Sequence, residues 1–156
     1  AYQHASAAIR LDDRNAAAYD LRARLWRSWG LPGLGLADAR KAVGLAPRSA
    51  TAWNTYGLVV EGSGDRKTAI RAYLRATRLD RDASYAWSNL CRSWTAVGED
   101  TAAVSACHRA IDLDPAQLDA QVSLAEAERH LARRNGSNVE PAPDAVSAGV
   151  ALEEIR

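Results

Sequence analysis

The chain has 156 residues, 47% of them hydrophobic, a length and composition that suit one domain with a buried core. Its 20 basic and 19 acidic side chains nearly cancel, which argues against the one-signed field of proteins that bind nucleic acid or anionic membranes. Because no apolar stretch approaches the roughly 20 residues that span a bilayer, we expect a soluble chain with no direct membrane insertion.

Comparison of the sequence with itself at an offset of 34 residues predicts helix pairs in a fixed register. Residues 1–15 are predicted to hold the second helix of a half repeat, 16–49, 50–83 and 84–117 to be full repeats, and 118–134 the first helix of a terminal repeat or cap. Since the chain starts in mid-pattern and lacks an initiator Met, it is expected to be part of a longer protein with further repeats upstream.

Small and aromatic residues set this register. Each first helix repeats an alanine that an aromatic side chain follows in three of four copies, at Ala18–Tyr19, Ala52–Trp53, Ala86–Trp87 and Ala120–Gln121. Glycines then end the first helices, at Gly30, Gly64 and Gly98. Because the turns are short, the two helices of a repeat must pack antiparallel, and stacked hairpins cover the apolar faces that one hairpin leaves open. The predicted fold is an all-α solenoid.

Two segments carry a resemblance to a known family. Residues 53–57 read W-N-T-Y-G and residues 87–94 read W-S-N-L-C-R-S-W, and with the later alanines and Pro115 they resemble the tetratricopeptide repeat over about residues 1–132. The resemblance implies a right-handed α-solenoid of antiparallel hairpins whose first helices line a concave, protein-binding groove. The sequence departs from the pattern at Tyr19, Arg22, Gly35, Gln121 and Glu128.

The character of the chain changes after residue 134. Residues 135–143 are predicted to be a turn-forming linker, because they are rich in Asn, Gly and Pro. Residues 144–156 are predicted to form a last helix, with Asp144 as its cap. The spacing of its apolar residues favours a displaced second helix of the terminal cap. The alternatives are a tail that lies in the molecule's own groove or a neighbour's, and a disordered tail.

No arrangement of residues points to catalysis, a metal or a cofactor. His4, His108 and His130 are far apart along the chain, and none is spaced by helical turns from a second ligand. The glycines around Gly33 lack the preceding strand and the Lys-Ser/Thr of a phosphate loop. We therefore expect neither an enzyme nor a cofactor.

The two cysteines leave two interpretations open. Cys91 and Cys107 are predicted to lie at matching heights on the two facing helices of one repeat. The favoured interpretation is a pair of buried free thiols that act as small apolar fillers. The alternative is a disulfide, which would indicate an oxidising, exported location. Otherwise the cytoplasm is slightly favoured.

By resemblance, the groove is lined by first-helix residues that hairpin packing leaves over: Asp20, Arg24, Arg27, Asn54, Leu58, Glu61, Tyr85, Ser88, Asn89, Arg92, Asp119, Val122 and Glu126. The amides of Asn54 and Asn89 are suited to hydrogen-bond the backbone of an extended peptide, and Arg24 and Arg92 to hold a carboxylate. The family's clamp for acidic chaperone tails needs other residues at positions 20, 55 and 85, so this ligand is not predicted.

The predicted function is a scaffold or adaptor that binds a peptide or helix of a protein partner in this groove. The alternatives are a regulatory or substrate-presenting segment of a larger enzyme, and a structural module that self-associates through its exposed end helices. Nucleic acid is not an expected partner, because Asp80 and Asp82 interrupt the stripe of Arg71, Arg75 and Arg78. Trp29 is predicted to be partly exposed beside a turn, where a partner can reach it.

Overall fold

The computed structural model describes residues 1–136, and these form eight α-helices and no strand. In chain order the helices are α1 (Tyr2–Leu11), α2 (Ala16–Ser28), α3 (Pro32–Leu45), α4 (Ala50–Gly62), α5 (Arg66–Leu79), α6 (Ser84–Val97), α7 (Asp100–Leu113) and α8 (Leu118–Gly136). The predicted all-α repeat fold is confirmed. None of these helices is long and apolar enough to cross a membrane. Residues 137–156, with most of the predicted linker and all of the predicted last helix, lie outside the described part.

Local side chains fix where the helices begin and end. Three helices start at a side-chain oxygen that accepts a backbone N–H three residues later: Asn15 from Ala18, Ser49 from Ala52 and Asp65 from Thr68. The glycines that follow the first helices adopt positive φ, 76° at Gly30, 97° at Gly64 and 78° at Gly98, a conformation that other residues rarely adopt. Helix α8 reaches Gly136, two residues past the boundary expected at 134. The sequence therefore encodes the hairpin turns directly.

Close contact between α4 and α5 depends on a glycine. A Cβ at Gly57 would lie 2.5 Å from Cε1 and 2.7 Å from Cδ1 of Tyr73, whose ring is completely buried. The ring fills the space that a larger residue at position 57 would occupy. Gly57 and Tyr73 therefore set the distance between the two helices of this repeat.

Two departures from the repeat pattern have structural reasons in the first full hairpin. Arg22 stands where a large apolar side chain is expected, and its Nε donates to Oδ2 of Asp38 on α3 at 2.7 Å. A second guanidinium nitrogen reaches Oδ1 of the same carboxylate, also at 2.7 Å, which makes the ion pair bidentate. Gly35 is required because a Cβ there would lie 2.9 Å from the backbone oxygen of Ala23.

A disulfide joins α6 to α7. Cys91 and Cys107 are both completely buried and form a bond, with their α carbons 4.9 Å apart. The favoured sequence interpretation of two free thiols is corrected by this bond, because the hairpin brings the two backbones within the disulfide range. The third full repeat therefore has a covalent link between its helices.

We expect Gly57→Ala to lower the free energy of unfolding by about 1–3 kcal/mol, because the new methyl group collides with the Tyr73 ring. Gly44→Ala on α3 is the matched control, since a Cβ there meets no atom within 4 Å. It should raise stability by about 0.5 kcal/mol through lower unfolded-state entropy. Urea unfolding measures both values, and equal stability of the two variants would contradict the Gly57–Tyr73 constraint.

Reduction of the Cys91–Cys107 bond should lower the free energy of unfolding by about 3 kcal/mol, from the closure of a loop with a sequence separation of 16. Urea titrations with and without a thiol reductant measure the difference. The double variant Cys91→Ala/Cys107→Ala is the control and should not respond to the reductant. If the non-reduced, denatured protein takes up two alkylating groups, the disulfide assignment is wrong.

Candidate functional site

The candidate site lies on the surface formed by α2, α4, α6 and α8, which we call the first-helix face. Side chains on neighbouring helices of this face form hydrogen bonds with one another. Nδ2 of Asn89 on α6 donates to Oδ1 of Asn54 on α4 at 2.9 Å. The hydroxyls of Thr51 and Tyr85 lie 3.4 Å apart between the same two helices. The predicted groove residues of α4 and α6 therefore form one connected surface.

Glu61 is the most connected side chain on this face. One carboxylate oxygen accepts from Arg92 at 2.8 Å and from the Tyr73 hydroxyl at 3.1 Å. The other accepts from the Ser93 hydroxyl at 2.9 Å and from Nε of Arg66 at 3.4 Å. Its carboxylate thus joins α4 to both α5 and α6.

Burial is the main reason that the pKa of the Tyr73 phenol rises above its ordinary value of 10.0, with the neighbouring Glu61 carboxylate as the next cause. The phenol therefore keeps its proton and stays a donor to Glu61 at physiological pH. Arg92 also donates to Oδ1 of Asn89 at 3.4 Å, which connects the Glu61 contacts to the Asn54–Asn89 pair. The polar side chains are positioned before any ligand arrives.

The carboxyl group of Asp20 on α2 is buried. Burial raises the pKa of its carboxyl above the ordinary 3.8, against the opposing effects of the Thr55 hydroxyl and the Arg24 guanidinium. Oδ2 pairs with Nε of Arg24 at 3.1 Å, whereas the buried Oδ1 makes no hydrogen bond of standard geometry to residues 1–136. A buried carboxylate oxygen without a donor destabilises the charged form relative to the charged form in water, in the same direction as the raised pKa.

The predicted groove residues differ in what they offer to a ligand. The exposed residues are Arg24, Arg92 and Glu126, together with Tyr85 and Val122, whose exposed fractions are 38% and 57%. The partly buried ones are Leu58 and Asn89. Asp20, Asn54 and Ser88 are buried between helices. The accessible part of the set therefore offers two guanidinium groups, one carboxylate, an amide and apolar surface.

A cavity of about 270 Å³ opens on this face, lined by Arg27, Leu58, Glu61, Gly62, Arg66 and Arg92. Three arginines surround one carboxylate, which leaves an excess of positive charge. Arg66 was missed by the groove prediction because it begins α5, a second helix, where the family pattern places no groove residue. Its position directly after the Gly64–Asp65 turn, next to the end of α4, was the sequence feature that could have placed it near the groove residues of α4.

Within residues 1–136, no group of three or more His, Cys, Asp or Glu residues is placed to hold a metal ion. Nδ1 of His130 on α8 lies 3.1 Å from a carboxylate oxygen of the buried Asp100 on α7. This contact joins α8 to α7. The exposed side chains of the first-helix face present charged, hydrogen-bonding and apolar groups.

The sequence matches no protein-family model and no curated protein. Solved structures do resemble the fold. The crystal structure of MamA superposes with a TM-score of 0.70 at 19% identity, over 92% of this chain and 87% of that chain. The Sgt2 TPR domain from Aspergillus fumigatus gives a TM-score of 0.75 at 18% identity, over 86% of this chain and 93% of that chain.

A third structure, the first TPR of Spaghetti (RPAP3) bound to the HSP90 peptide SRMEEVD, gives a TM-score of 0.73 at 16% identity. The match covers 78% of this chain and 96% of that chain. At such identities the likeness establishes the fold and leaves the ligand open. The chain has the tetratricopeptide-repeat fold that its sequence resembles.

We expect Asp20→Asn to raise the free energy of unfolding at pH 7 by about 1 kcal/mol, because the amide removes a buried charge. The raised folded-state pKa means that wild-type stability falls as pH rises through that pKa, so the gain should disappear below the ordinary value of 3.8. Urea unfolding from pH 3 to 7 measures it. Asp13→Asn, at an exposed position, is the control with no such pH dependence. A variant less stable than wild type at pH 7 would refute the cost assigned to Asp20.

Proposed function

We propose that the chain is a protein-binding scaffold that holds a peptide or a helix of a partner protein against its first-helix face. The observation that carries this proposal is the bonded series of Asn54, Asn89, Arg92 and Glu61 across α4 and α6. A surface whose side chains are already ordered loses little conformational entropy when a ligand binds. Such preorganisation suits recognition more than packing, since the exposed Arg92 is not needed to fill a core.

The charges on the part of this face formed by α2, α4 and α6 favour a partner segment that carries carboxylates. Arg24, Arg27 and Arg92 lie on it, and Arg66 at the start of α5 lines the cavity that opens there. The carboxylate of Glu61 is 9% exposed and already receives four donors, so it offers a ligand little negative charge. An acidic side chain of the partner would enter the cavity between the three arginines that line it and pair with Arg27 or Arg92.

Apolar contacts flank this cationic region. Leu58 lines the cavity itself, and the exposed Tyr85 and Val122 lie farther along the face on α6 and α8. A partner with acidic and apolar side chains on one side would use both kinds of contact. The peptide complex of RPAP3 shows that a protein of this fold binds a peptide. The residues at positions 20, 55 and 85 remain our reason for not proposing an acidic chaperone tail here.

The test is a selection from displayed random peptides and amphipathic helices on the purified wild-type chain, followed by affinity measurement of the enriched ligands. The double variant Asn89→Ala/Arg92→Gln should bind them at least tenfold more weakly, because it removes an amide and a cation from the face. The matched control is Arg71→Gln/Arg75→Gln, which changes exposed cations of α5. It should bind as wild type does.

Circular dichroism and urea unfolding must show that both double variants fold. Amide exchange should then slow in α2, α4 and α6 when a selected peptide is bound, and stay unchanged in α3 and α7. Two results would overturn the proposal. They are equal binding of the selected peptides to wild type and to Asn89→Ala/Arg92→Gln, and slower amide exchange in the second helices alone.

A further inference from the structure

A larger cavity, of about 550 Å³, lies away from the first-helix face. It is formed by the C-terminal part of α5, the turn into α6 and the facing side of α7, and it is lined by Leu74, Thr77, Arg78, Arg81, Trp87 and Arg109. Three of these six side chains are guanidinium groups. The remaining wall is apolar apart from one hydroxyl, so the cavity combines cationic and apolar surface.

The positive charge of this cavity is only partly balanced. Arg109 donates to a carboxylate oxygen of Asp82 at 3.0 Å and, more weakly, to the backbone oxygen of Arg81 at 3.4 Å. Asp82 is 81% exposed at its side chain, so solvent screens this pair. Neither Arg78 nor Arg81 has a hydrogen-bond or ion-pair partner for its guanidinium within residues 1–136. Two unpaired cations therefore stand beside a weakly neutralised third.

One wall of the cavity is held in place by its own bonds. Nε1 of Trp87 donates to the backbone oxygen of Arg81 at 2.9 Å, which fixes the indole against the turn that carries Arg81. The hydroxyl of Thr77 donates to the backbone oxygen of Leu74 at 3.1 Å, which fixes that side chain as well. The flat indole face is thus a fixed apolar wall beside the guanidinium groups.

Repeat packing does not require these arginines. The residues equivalent to Arg78 in the other copies are Arg10, Gly44 and Asp112, and those equivalent to Arg81 are Asp13, Pro47 and Pro115. Trp53 repeats the indole in the previous copy, but Gly44 and Pro47 stand there in place of Arg78 and Arg81. A feature that the fold does not need requires another reason.

We propose that this cavity binds a phosphate monoester, with the phosphate between Arg78, Arg81 and Arg109 and its organic group against Trp87. Guanidinium groups match phosphate oxygens in charge and in their paired N–H geometry, and a dianion matches the two cations without partners. The volume suits a small organic group in addition to the phosphate. The phosphate ester belongs either to a free small molecule or to a phosphorylated side chain, and the site is independent of the first-helix face.

The proposal is tested by titrating the protein with phenyl phosphate while following the assigned indole N–H resonance of Trp87. We expect saturable shifts, with binding at least tenfold weaker for Arg78→Gln and for Arg81→Gln. Arg75→Gln, one turn before Arg78 at an exposed position of the same helix, is the matched control and should bind as wild type does. These substitutions remove exposed side chains and leave the core intact.

Inorganic phosphate should bind more weakly than phenyl phosphate, because it makes no contact with the indole. A phosphoserine peptide and adenosine monophosphate then distinguish the two sources of the ester, each titrated while the Trp87 resonance is followed. Tighter binding of the peptide indicates a phosphorylated side chain, and tighter binding of the nucleotide indicates a free small molecule. Three results would each overturn the proposal. They are no shift at Trp87, equal losses in the Arg75, Arg78 and Arg81 variants, and inorganic phosphate binding as tightly as phenyl phosphate.

Discussion

The contact between Gly57 and the ring of Tyr73 is the constraint on which the central part of the molecule depends. Only a residue without a side chain lets α4 and α5 approach this closely, and only a large ring fills the space that remains. The depth of the ring places its hydroxyl 3.1 Å from Glu61, which in turn receives Arg92 and Ser93 from α6. Core packing inside one hairpin thus positions polar groups that join it to the next.

The two candidate sites are related to the repeat in opposite ways. The first-helix face uses positions that recur in every copy, so its residues form a row along successive helices. The cavity at Arg81 instead depends on residues of one copy, since the residues equivalent to Arg81 are Asp13, Pro47 and Pro115. A repeat array can therefore vary a single crevice without changing the packing of its neighbours, because each copy contacts mainly the copies next to it.

The sequence was sufficient to predict the helices, their turns and the small residues at helix contacts, because these features recur with the period and obey local rules. Gly30, Gly64 and Gly98 are examples, because glycine readily adopts the positive φ that such a turn requires and therefore marks the turn in the sequence. The partners of Glu61 were not predictable, because Tyr73, Arg92 and Ser93 come from two other helices and do not recur. The same reason applies to the bidentate Arg22–Asp38 pair, the burial of Asp20 and the position of Arg66 in the cavity. These features became visible only in the three-dimensional structure.

The disulfide between α6 and α7 has a mechanical consequence. If the chain is pulled from its two ends, helices α1 to α5 can straighten fully, whereas the segment between Cys91 and Cys107 remains a closed loop. With a sequence separation of 16, this loop hides roughly 50 Å of contour length from the applied force. An oxidised chain under tension would therefore stop extending earlier than a reduced one, and its α6–α7 hairpin would stay covalently joined after the other hairpins had come apart.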